Sequence, residues 1–186
     1  MQLIIEKARA SALAEIKKYG TPHPSHFALS NEKGQMLAKK LHADKDIALL
    51  GTMLMDLKLG ECLTEGKLGE HISRSSSAAR ELLKSFSLDK KKMEKIINCI
   101  EAHHGTIPFT CKEAEICANA DCYRFLHPQG IFAYFTLLGK RYDTFEECLP
   151  QVKKKMDEKK GILTLEISKQ ELLPYYAQFM ALFAVK

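Results

Sequence analysis

The amino-acid sequence predicts an all-α protein, a helical bundle of about eight or nine helices in a single domain, residues 1–186. Apolar residues recur every third or fourth position along nearly the whole chain, which is the spacing of helices. Three hydroxyl residues also stand three positions before a glutamate, the arrangement of a helix-capping box. Only the segment GILTLEIS, residues 161–168, alternates as a strand does. Because no other segment could pair with it, we interpret it as an extended loop.

Five helices are predicted in the first half of the chain. They cover residues 3–19, 25–41, 45–58, 71–86 and 89–104. The first ends at Gly20, because glycine is common just beyond the C-terminus of a helix. The third contains the almost wholly apolar segment ALLGTMLM. A helix of that composition is expected in the core of the bundle.

Three capping boxes predict the helix starts of the second half. They are Thr110 with Glu113, Thr144 with Glu147, and Ser168 with Glu171. The last of these helices contains an uncharged stretch, Leu172 to Val185, whose 14 residues are fewer than the roughly 18 that a membrane-spanning helix needs. We therefore expect a helix that docks on the bundle.

The composition is that of a globular protein. A hydrophobic fraction of 46% with 27% charged residues argues against a disordered chain. The net charge of +5 comes largely from lysine clusters, which we interpret as solvated helix faces because charge runs specify partners only weakly. The six cysteines form no CxxC pair, and the N-terminal MQLIIEKARA is too short an apolar run for a signal peptide. Reduced thiols and a cytoplasmic location are expected.

Two aspartates lie where the helical pattern predicts burial. Asp121 stands four residues after Cys117 and four before Phe125, so its carboxylate shares their apolar stripe. Asp56 follows a segment so apolar that little of its surface suits water. A lone buried charge is costly, so each carboxylate needs a partner.

Histidines continue the apolar stripes of three other helices. His71 shares a face with Leu82 and Phe86, and the segment EAHHG sets His103 and His104 at the end of an isoleucine-rich stripe. His26 opens its helix one turn before Leu29. Taken singly, each histidine could be a hydrogen-bonded core residue, and each aspartate a cap or one half of an ion pair. Taken together, converging imidazoles and carboxylates would offset their mutual cost by binding a divalent cation.

These residues form an ordered series along the chain. It comprises His26, the segment MLMD ending at Asp56, EHISRSSSAARELL with His71, IINCIEAHHG with His103 and His104, and AEICANADCYRFL with Asp121. In order, spacing and helical context the series resembles the HD-domain superfamily of metal-dependent phosphohydrolases. The resemblance covers about residues 20–135, and residues 136–186 are expected to form a C-terminal helical extension packed on that part.

The resemblance implies a role for each of these residues. The metal ligands that it implies are, in chain order, His26, Asp56, His71, His103 or its rival His104, and Asp121. His26, Asp56 and Asp121 would hold one ion, and the remaining histidines would hold a second ion or bind phosphate. Lys58 matches the lysine that often follows the His-Asp doublet of the family and is implied, with Asp56, in catalysis. Lys58 and, less securely, Arg124 could bind the phosphate of the substrate, although each could instead be an ordinary exposed cation, Arg124 more so than Lys58.

One position departs from the family pattern. Members that hydrolyse phosphate esters have histidine directly before the aspartate of the doublet, whereas this chain has Met55. A thioether is a soft, weak donor and replaces imidazole poorly toward Mg, Mn, Fe or Zn ions. Lower affinity at the first ion position is therefore expected.

The function implied is a metal-dependent phosphohydrolase that cleaves a phosphate monoester or a nucleotide through metal-activated water. Its cofactor would be a divalent ion, with Mn, Mg, Fe, Ni, Co and Zn all open. The alternative is an HD-fold ligand-binding or regulatory module with impaired catalysis, which the substitution at Met55 favours.

The expected partner is a small phosphorylated molecule. The sequence has no membrane span and no basic region with interleaved aromatic residues, which argues against membrane and nucleic acid as partners. The aromatic C-terminal helix would serve a homodimer as readily as the core of a monomer, so the oligomeric state stays open.

Overall fold

The computed structural model describes residues 1–184, and this part of the chain is all helical, without a β-strand. It forms a short 3₁₀ turn, Leu68–Glu70, and ten α-helices: α1 Gln2–Tyr19, α2 Pro24–Lys40, α3 Lys45–Leu54, α4 Leu59–Thr64, α5 His71–Lys84, α6 Lys90–Glu101, α7 Lys112–Leu126, α8 Pro128–Leu138, α9 Phe145–Ile162 and α10 Glu166–Leu182. The all-α prediction is confirmed. Helices α4 and α8 were not among the helices identified in the sequence.

Helix α7 forms the centre of the bundle. Thirteen of its fifteen residues are buried, because α2, α3, α6, α8, α9 and α10 all pack against it. A helix surrounded on every side must pair the polar side chains that it carries. The charged residues of α7 must therefore find partners inside the bundle.

Apolar cores lie on two sides of α7. The first joins α1, α3, α5 and α6 through residues such as Ile4, Leu50 and Ile97. The second joins α2, α8, α9 and α10. The C-terminal helices α9 and α10 thus pack directly on the central helix, as the sequence predicted for the docked last helix. Residue Val185 of the predicted C-terminal stretch lies outside the described residues.

Asn119 of α7 fixes the connection between α9 and α10. Its side-chain oxygen accepts hydrogen bonds from the backbone N–H groups of Thr164 (3.2 Å) and Leu165 (3.1 Å). Its amide nitrogen donates to the Thr164 hydroxyl at 2.8 Å. Only residues 163–165 of the predicted loop GILTLEIS lie outside helices. This short extended segment sets the position of the last turn of α9 over α7.

One of the three predicted capping boxes forms. The Thr144 hydroxyl accepts a hydrogen bond from the backbone N–H of Glu147, whose carboxylate accepts one from the backbone N–H of Thr144. The reciprocal bonds satisfy N–H groups that would otherwise lack partners at the start of α9.

The other two capping boxes were wrong. Helix α7 begins after Cys111 and not after Thr110, and Glu113 accepts a hydrogen bond from a backbone N–H at the start of α3. Helix α10 begins at Glu166, so that Ser168 lies within it. Glu171 accepts a hydrogen bond from the Tyr123 hydroxyl at 2.7 Å. In both cases the glutamate makes a contact between helices, which the local motif cannot reveal.

The remaining features agree with the composition. All six cysteines are free, and five of them are buried, as expected for core thiols. Among residues 1–184, no helix combines the length and the hydropathy that crossing a bilayer requires.

Candidate metal centre and its cavity

Most of the predicted site residues converge on one cavity of about 160 Å³. A cavity needs about 10–15 Å³ to hold a single water molecule, so this one has room for several waters or a small ligand. Six of the residues singled out in the sequence line it: His26, Asp56, His71, His104, Asp121 and Arg124. His103 is fully buried and contacts His104, with ring centroids 4.2 Å apart.

Helix ends deliver most of these side chains. His26 lies in the first turn of α2, and His71 is the first residue of α5. The helices predicted over 45–58 and 89–104 end early, at Leu54 and Glu101. Asp56 and both histidines of the HHG segment therefore lie in turns just beyond α3 and α6, and not on helical faces. Asp121 alone projects from a helix interior.

Three histidines form a compact cluster at one wall of the cavity. One nitrogen atom from each of His71, His103 and His104 lies within 4.8 Å of the other two. The Nδ1 atoms of His71 and His103 lie 2.7 Å and 2.6 Å from the backbone oxygens of Leu68 and Ile100. Because a carbonyl oxygen only accepts, each Nδ1 carries the proton and each Nε2 presents its lone pair. This arrangement is the usual one for histidines that ligate metals.

Asp56 adds a carboxylate oxygen to this cluster. Its Oδ1 atom lies 3.7 Å from Nε2 of His103 and 3.9 Å from Nε2 of His71. Donor atoms of a tetrahedral site with bonds of about 2.0–2.2 Å lie about 3.3–3.6 Å apart, so these two separations need to shrink only by tenths of an ångström. The histidine nitrogens, up to 4.8 Å apart, would move closer by about 1 Å. The buried Nε2 of His103 also lacks a hydrogen-bond partner. The donor set fits a divalent cation.

Burial keeps the cluster in the form that binds cations. It lowers the pKa of His104 to about 3 and also lowers the pKa of His103, although the Asp56 carboxylate opposes the shift at His103. Both imidazoles are therefore neutral near pH 7 and have a lone pair to offer.

Two buried cations pair with the carboxylates of Asp56 and Asp121. Nη1 of Arg124 lies 2.6 Å from Oδ2 of Asp56 and 2.7 Å from Oδ1 of Asp121. Nζ of Lys159 lies 2.6 Å from Oδ2 of Asp121. Arg124 is 4% exposed and Lys159 1%. The alternative interpretation of Arg124 as an exposed cation, and that of the lysine cluster containing Lys159 as a solvated face, were wrong for these two residues, because both pair with buried carboxylates.

All four groups are charged near neutral pH. Burial would raise the pKa of Asp56, but the Arg124 guanidinium lowers it to about 2. Burial would likewise raise the pKa of Asp121, but Lys159 and Arg124 hold it well below its usual range. Lys159 keeps a raised pKa despite its burial, because Asp121 stabilises its charged form. Two positive and two negative groups thus offset one another.

His26 is engaged by the backbone. Its Nε2 donates a hydrogen bond of 2.8 Å to the backbone oxygen of Gly130 at the start of α8. Burial, assisted by the charge of Arg124, lowers the pKa of His26 to about 3, so the ring is neutral. Only Nδ1 is left with a lone pair.

Lys58 does not reach the cavity. Its ammonium contacts Glu15 at 3.3 Å and Glu61 at 3.0 Å on another face of the molecule. Lys58 is the N-cap residue of α4, and its backbone N–H donates a hydrogen bond to the Ser75 hydroxyl. Its side chain extends toward Glu15 and Glu61 and away from Asp56. The catalytic and substrate-binding roles expected for Lys58 are therefore not supported by its position.

Lys159 was missed in the sequence. It stands three residues after Met156 and seven after Val152, both of which are buried, so helical periodicity alone would have placed it on the inner face of α9. Its place within a lysine-rich run hid this signal.

Comparisons with known proteins identify the fold. No family model matches the chain. Ribonuclease Y of Finegoldia magna is 33% identical over 100 residues, which cover 54% of this chain and 17% of that protein. The chain thus spans only about a sixth of the length of this relative.

A solved structure resembles the whole chain. The crystal structure of a predicted HD superfamily hydrolase from an uncultured Thermotogales bacterium superposes with a TM-score of 0.62 at 17% identity. The match covers 99% of this chain and 93% of the other. The protein therefore has the fold of the HD superfamily, and the resemblance stated from the sequence is confirmed at the level of the fold.

Proposed function

We propose that the protein is a metal-dependent phosphohydrolase that cleaves a phosphate monoester or a nucleotide. The observation that carries the proposal is the cluster of His71, His103 and His104 beside Asp56, at the wall of a cavity large enough for a small ligand. The fold shared with a predicted hydrolase supports it.

The four residues of the cluster would hold one divalent ion. Such an ion lowers the pKa of bound water toward neutrality and offsets charge that develops on phosphoryl oxygens. The backbone carbonyls of Leu68 and Ile100 fix the rings of His71 and His103, so the donor atoms need little reordering to bind it. The oxygen of Asp56 that faces the cluster is held in place by the bond from its other oxygen to Arg124.

The charge of the cavity favours an anionic substrate. The cavity is lined by two carboxylates, Asp56 and Asp121, and by four cationic side chains. The cations are Arg124, Arg141, Lys155 and Lys159. The two buried cations are paired with the carboxylates, and Lys155 is paired with Glu158 at 2.7 Å. The surplus positive charge of the lining therefore comes from Arg141. A surplus of this kind in a concave site attracts phosphorylated ligands.

Apolar side chains line the rest of the cavity. Leu59, Leu63, Leu68 and Leu137 contribute to it together with the ring of Tyr134. A cavity that combines cations with an apolar wall suits a ligand with a phosphate at one end and a ring or hydrocarbon group at the other. A nucleotide or an aromatic phosphate has this form.

A phosphodiester is a second candidate substrate, because one relative is a ribonuclease. Hydrolysis of an RNA bond would need a single nucleotide to enter the cavity while the chain continues outside. Short oligoribonucleotides therefore belong in the same panel as the monoesters.

The test is a hydrolysis screen with the protein stripped of metal by EDTA. Phosphate release from monoesters and nucleotides, and cleavage of oligoribonucleotides, would be followed with Mn, Mg, Fe, Ni, Co or Zn ions added back. We expect activity that requires an added ion, is lost in His103→Asn and is retained in the matched control His42→Asn, since His42 is exposed. Ion binding with sustained inactivity on the whole panel would favour a ligand-binding module.

A further inference from the structure

The carboxylates expected to bind a first ion, Asp56 and Asp121, are paired with cationic side chains of the protein itself. The sequence resemblance assigned His26, Asp56 and Asp121 to that ion. We infer that the side chains of Arg124 and Lys159 take its place, so that the chain binds one divalent cation and not two. The inference rests on the proposed function, because the one ion is the ion of the histidine cluster.

The position of Arg124 carries the inference. An ion shared by Asp56 and Asp121 would lie about 2.0–2.2 Å from an oxygen of each. Nη1 of Arg124 already lies between those oxygens, at 2.6 Å and 2.7 Å. The guanidinium nitrogen and a shared ion therefore compete for the same space, and both are positively charged.

Two further donors of the first ion position are absent or engaged. Met55 stands where a histidine ligand would be and is 1% exposed, and its thioether is a weak donor toward hard or borderline ions. His26 uses Nε2 as a donor to the Gly130 carbonyl. A shared ion at this position would thus lack one ligand outright, and His26 could offer it only Nδ1.

Lys159 completes the replacement. It contacts the second oxygen of Asp121, so both oxygens of that carboxylate face cations of the chain itself. A fully buried lysine is rare unless it is paired. Asp56 lies in the turn after α3, Asp121 and Arg124 lie on α7, and Lys159 lies on α9. Their ion pairs neutralise the two carboxylates without a metal ion.

The two carboxylate oxygens of Asp56 have different partners. Oδ2 accepts from Arg124, whereas Oδ1 faces His71 and His103. Arg124 is therefore a positioning residue for the ligand oxygen of Asp56. Asp121 has no part in holding the remaining ion.

The direct test is the stoichiometry of the wild-type protein. Metal-free protein would be saturated with Mn²⁺, freed of excess ion and measured for Mn per chain by plasma mass spectrometry and for Mn–Mn coupling by electron paramagnetic resonance. We expect one ion and the six-line spectrum of an isolated Mn²⁺. Two ions with an exchange-coupled spectrum would overturn the inference and leave the proposed function standing, whereas no bound ion would overturn both.

Variants test which residues exclude the second ion. Met55→His restores the absent ligand, yet we expect it to bind one ion because Arg124 still lies between the carboxylates. Met55→His combined with Arg124→Ala should bind two. Two ions in the single variant, or one ion in a folded double variant, would overturn the inference. Folding is checked by circular dichroism, and the wild-type measurement decides the matter if the double variant does not fold.

The role of Asp121 offers an independent measurement. Asp121→Asn should keep one ion per chain, because its oxygens contact only Arg124 and Lys159. Asp56→Asn should weaken Mn²⁺ binding by tenfold or more. Loss of the ion in Asp121→Asn would place that residue among the ligands and overturn the inference.

Discussion

Nη1 of Arg124 lies 2.6 Å from Oδ2 of Asp56, a residue 68 positions earlier in the chain. The contact joins the central helix α7 to the turn after α3, and both side chains are less than a tenth exposed. A pair of this kind contributes little compared with apolar residues of the same shape, but removing one partner leaves a buried charge without compensation. The stability of the fold therefore depends on Arg124.

Replacing Arg124 should destabilise the protein strongly. Arg124→Met keeps much of the side-chain volume but leaves Asp56 without its counterion, and we expect a loss of about 3–5 kcal/mol in the free energy of unfolding. Urea denaturation in the presence of EDTA, followed by circular dichroism, measures this quantity without a contribution from metal.

Arg80→Met is the matched control for that measurement. Arg80 pairs with Glu94 at 3.0 Å, but the two side chains are 36% and 53% exposed. An exposed pair contributes about 0–1 kcal/mol. Equal losses in the two variants would show that the pairing of Arg124 with Asp56 is not the source of the effect.

Because of His26, the free energy of unfolding should decrease as the pH is lowered. In the folded state the pKa of the His26 imidazole is about 3, whereas in the unfolded chain the pKa of a histidine is about 6.5. The contribution is thus complete above pH 6.5 and is lost as the pH falls from 6.5 toward 3, with a slope of up to about 1.4 kcal/mol per pH unit.

His26→Gln tests this pH dependence. Glutamine can still donate to the Gly130 carbonyl but does not titrate. Unfolding free energies measured in urea with EDTA present should have a slope smaller by up to about 1.4 kcal/mol per unit in the variant below about pH 6, and the two proteins should have the same slope above about pH 7. His103 and His104, whose pKa values are also lowered, account for the slope that is left. Identical slopes in the two proteins below about pH 6 would contradict the prediction.

The sequence reveals burial more readily than pairing. Helical periodicity places Asp121 on the inner face of α7, and the apolar segment before Asp56 indicates a buried turn. Periodicity fixes the face of a helix but not its height in the bundle. The bond from Arg124 to Asp56 depends on that height and on the early end of α3, which no local signal marks.

Lysine-rich segments show the opposite difficulty. Lys159 lies on the same inner face as Met156 of α9, yet its neighbours Glu158 and Lys160 are exposed and the composition of this segment suggests solvent. Burial of its ammonium becomes understandable only when the Asp121 carboxylate is known to lie 2.6 Å away. An isolated sequence cannot supply a partner 38 residues distant, so the charge balance of the site emerges only from the structure.

Adding a divalent ion should stabilise the folded protein. An ion at a concentration one hundred times its dissociation constant adds about 2.7 kcal/mol if the unfolded chain does not bind it. For a chain of this length that corresponds to a rise in Tm of about 5–10 °C, reversed by EDTA. Scanning calorimetry with Mn²⁺ or Zn²⁺ measures the shift.

His103→Asn should lose most of this thermal shift, because it removes the buried Nε2 donor. His42→Asn should keep the full shift, since His42 is exposed and has the positive φ of 53° that asparagine tolerates well. A full shift in the His103 variant would mean that the ion binds elsewhere.

Gly130→Ala should destabilise the protein and disturb His26 together. A β-carbon at Gly130 would overlap the backbone carbonyl groups of Arg124 and Tyr123, and backbone atoms cannot move aside as a flexible side chain can. Overpacking of this kind costs about 1–3 kcal/mol. The displaced carbonyl of residue 130 would also lengthen its hydrogen bond from His26, so the imidazole signals of His26 in an NMR spectrum should shift.

Gly161→Ala provides the contrasting substitution. Gly161 lies in the last turn of α9, and no atom of another part of the structure lies within 4 Å of its would-be β-carbon. Alanine there should leave the fold intact and raise the free energy of unfolding by up to about 1 kcal/mol, because it favours the helix more than glycine does. If Gly130→Ala behaved like Gly161→Ala in urea denaturation, the close approach of α8 to the end of α7 would have to be wider than the structure shows, and the orientation of His26 would then have another cause.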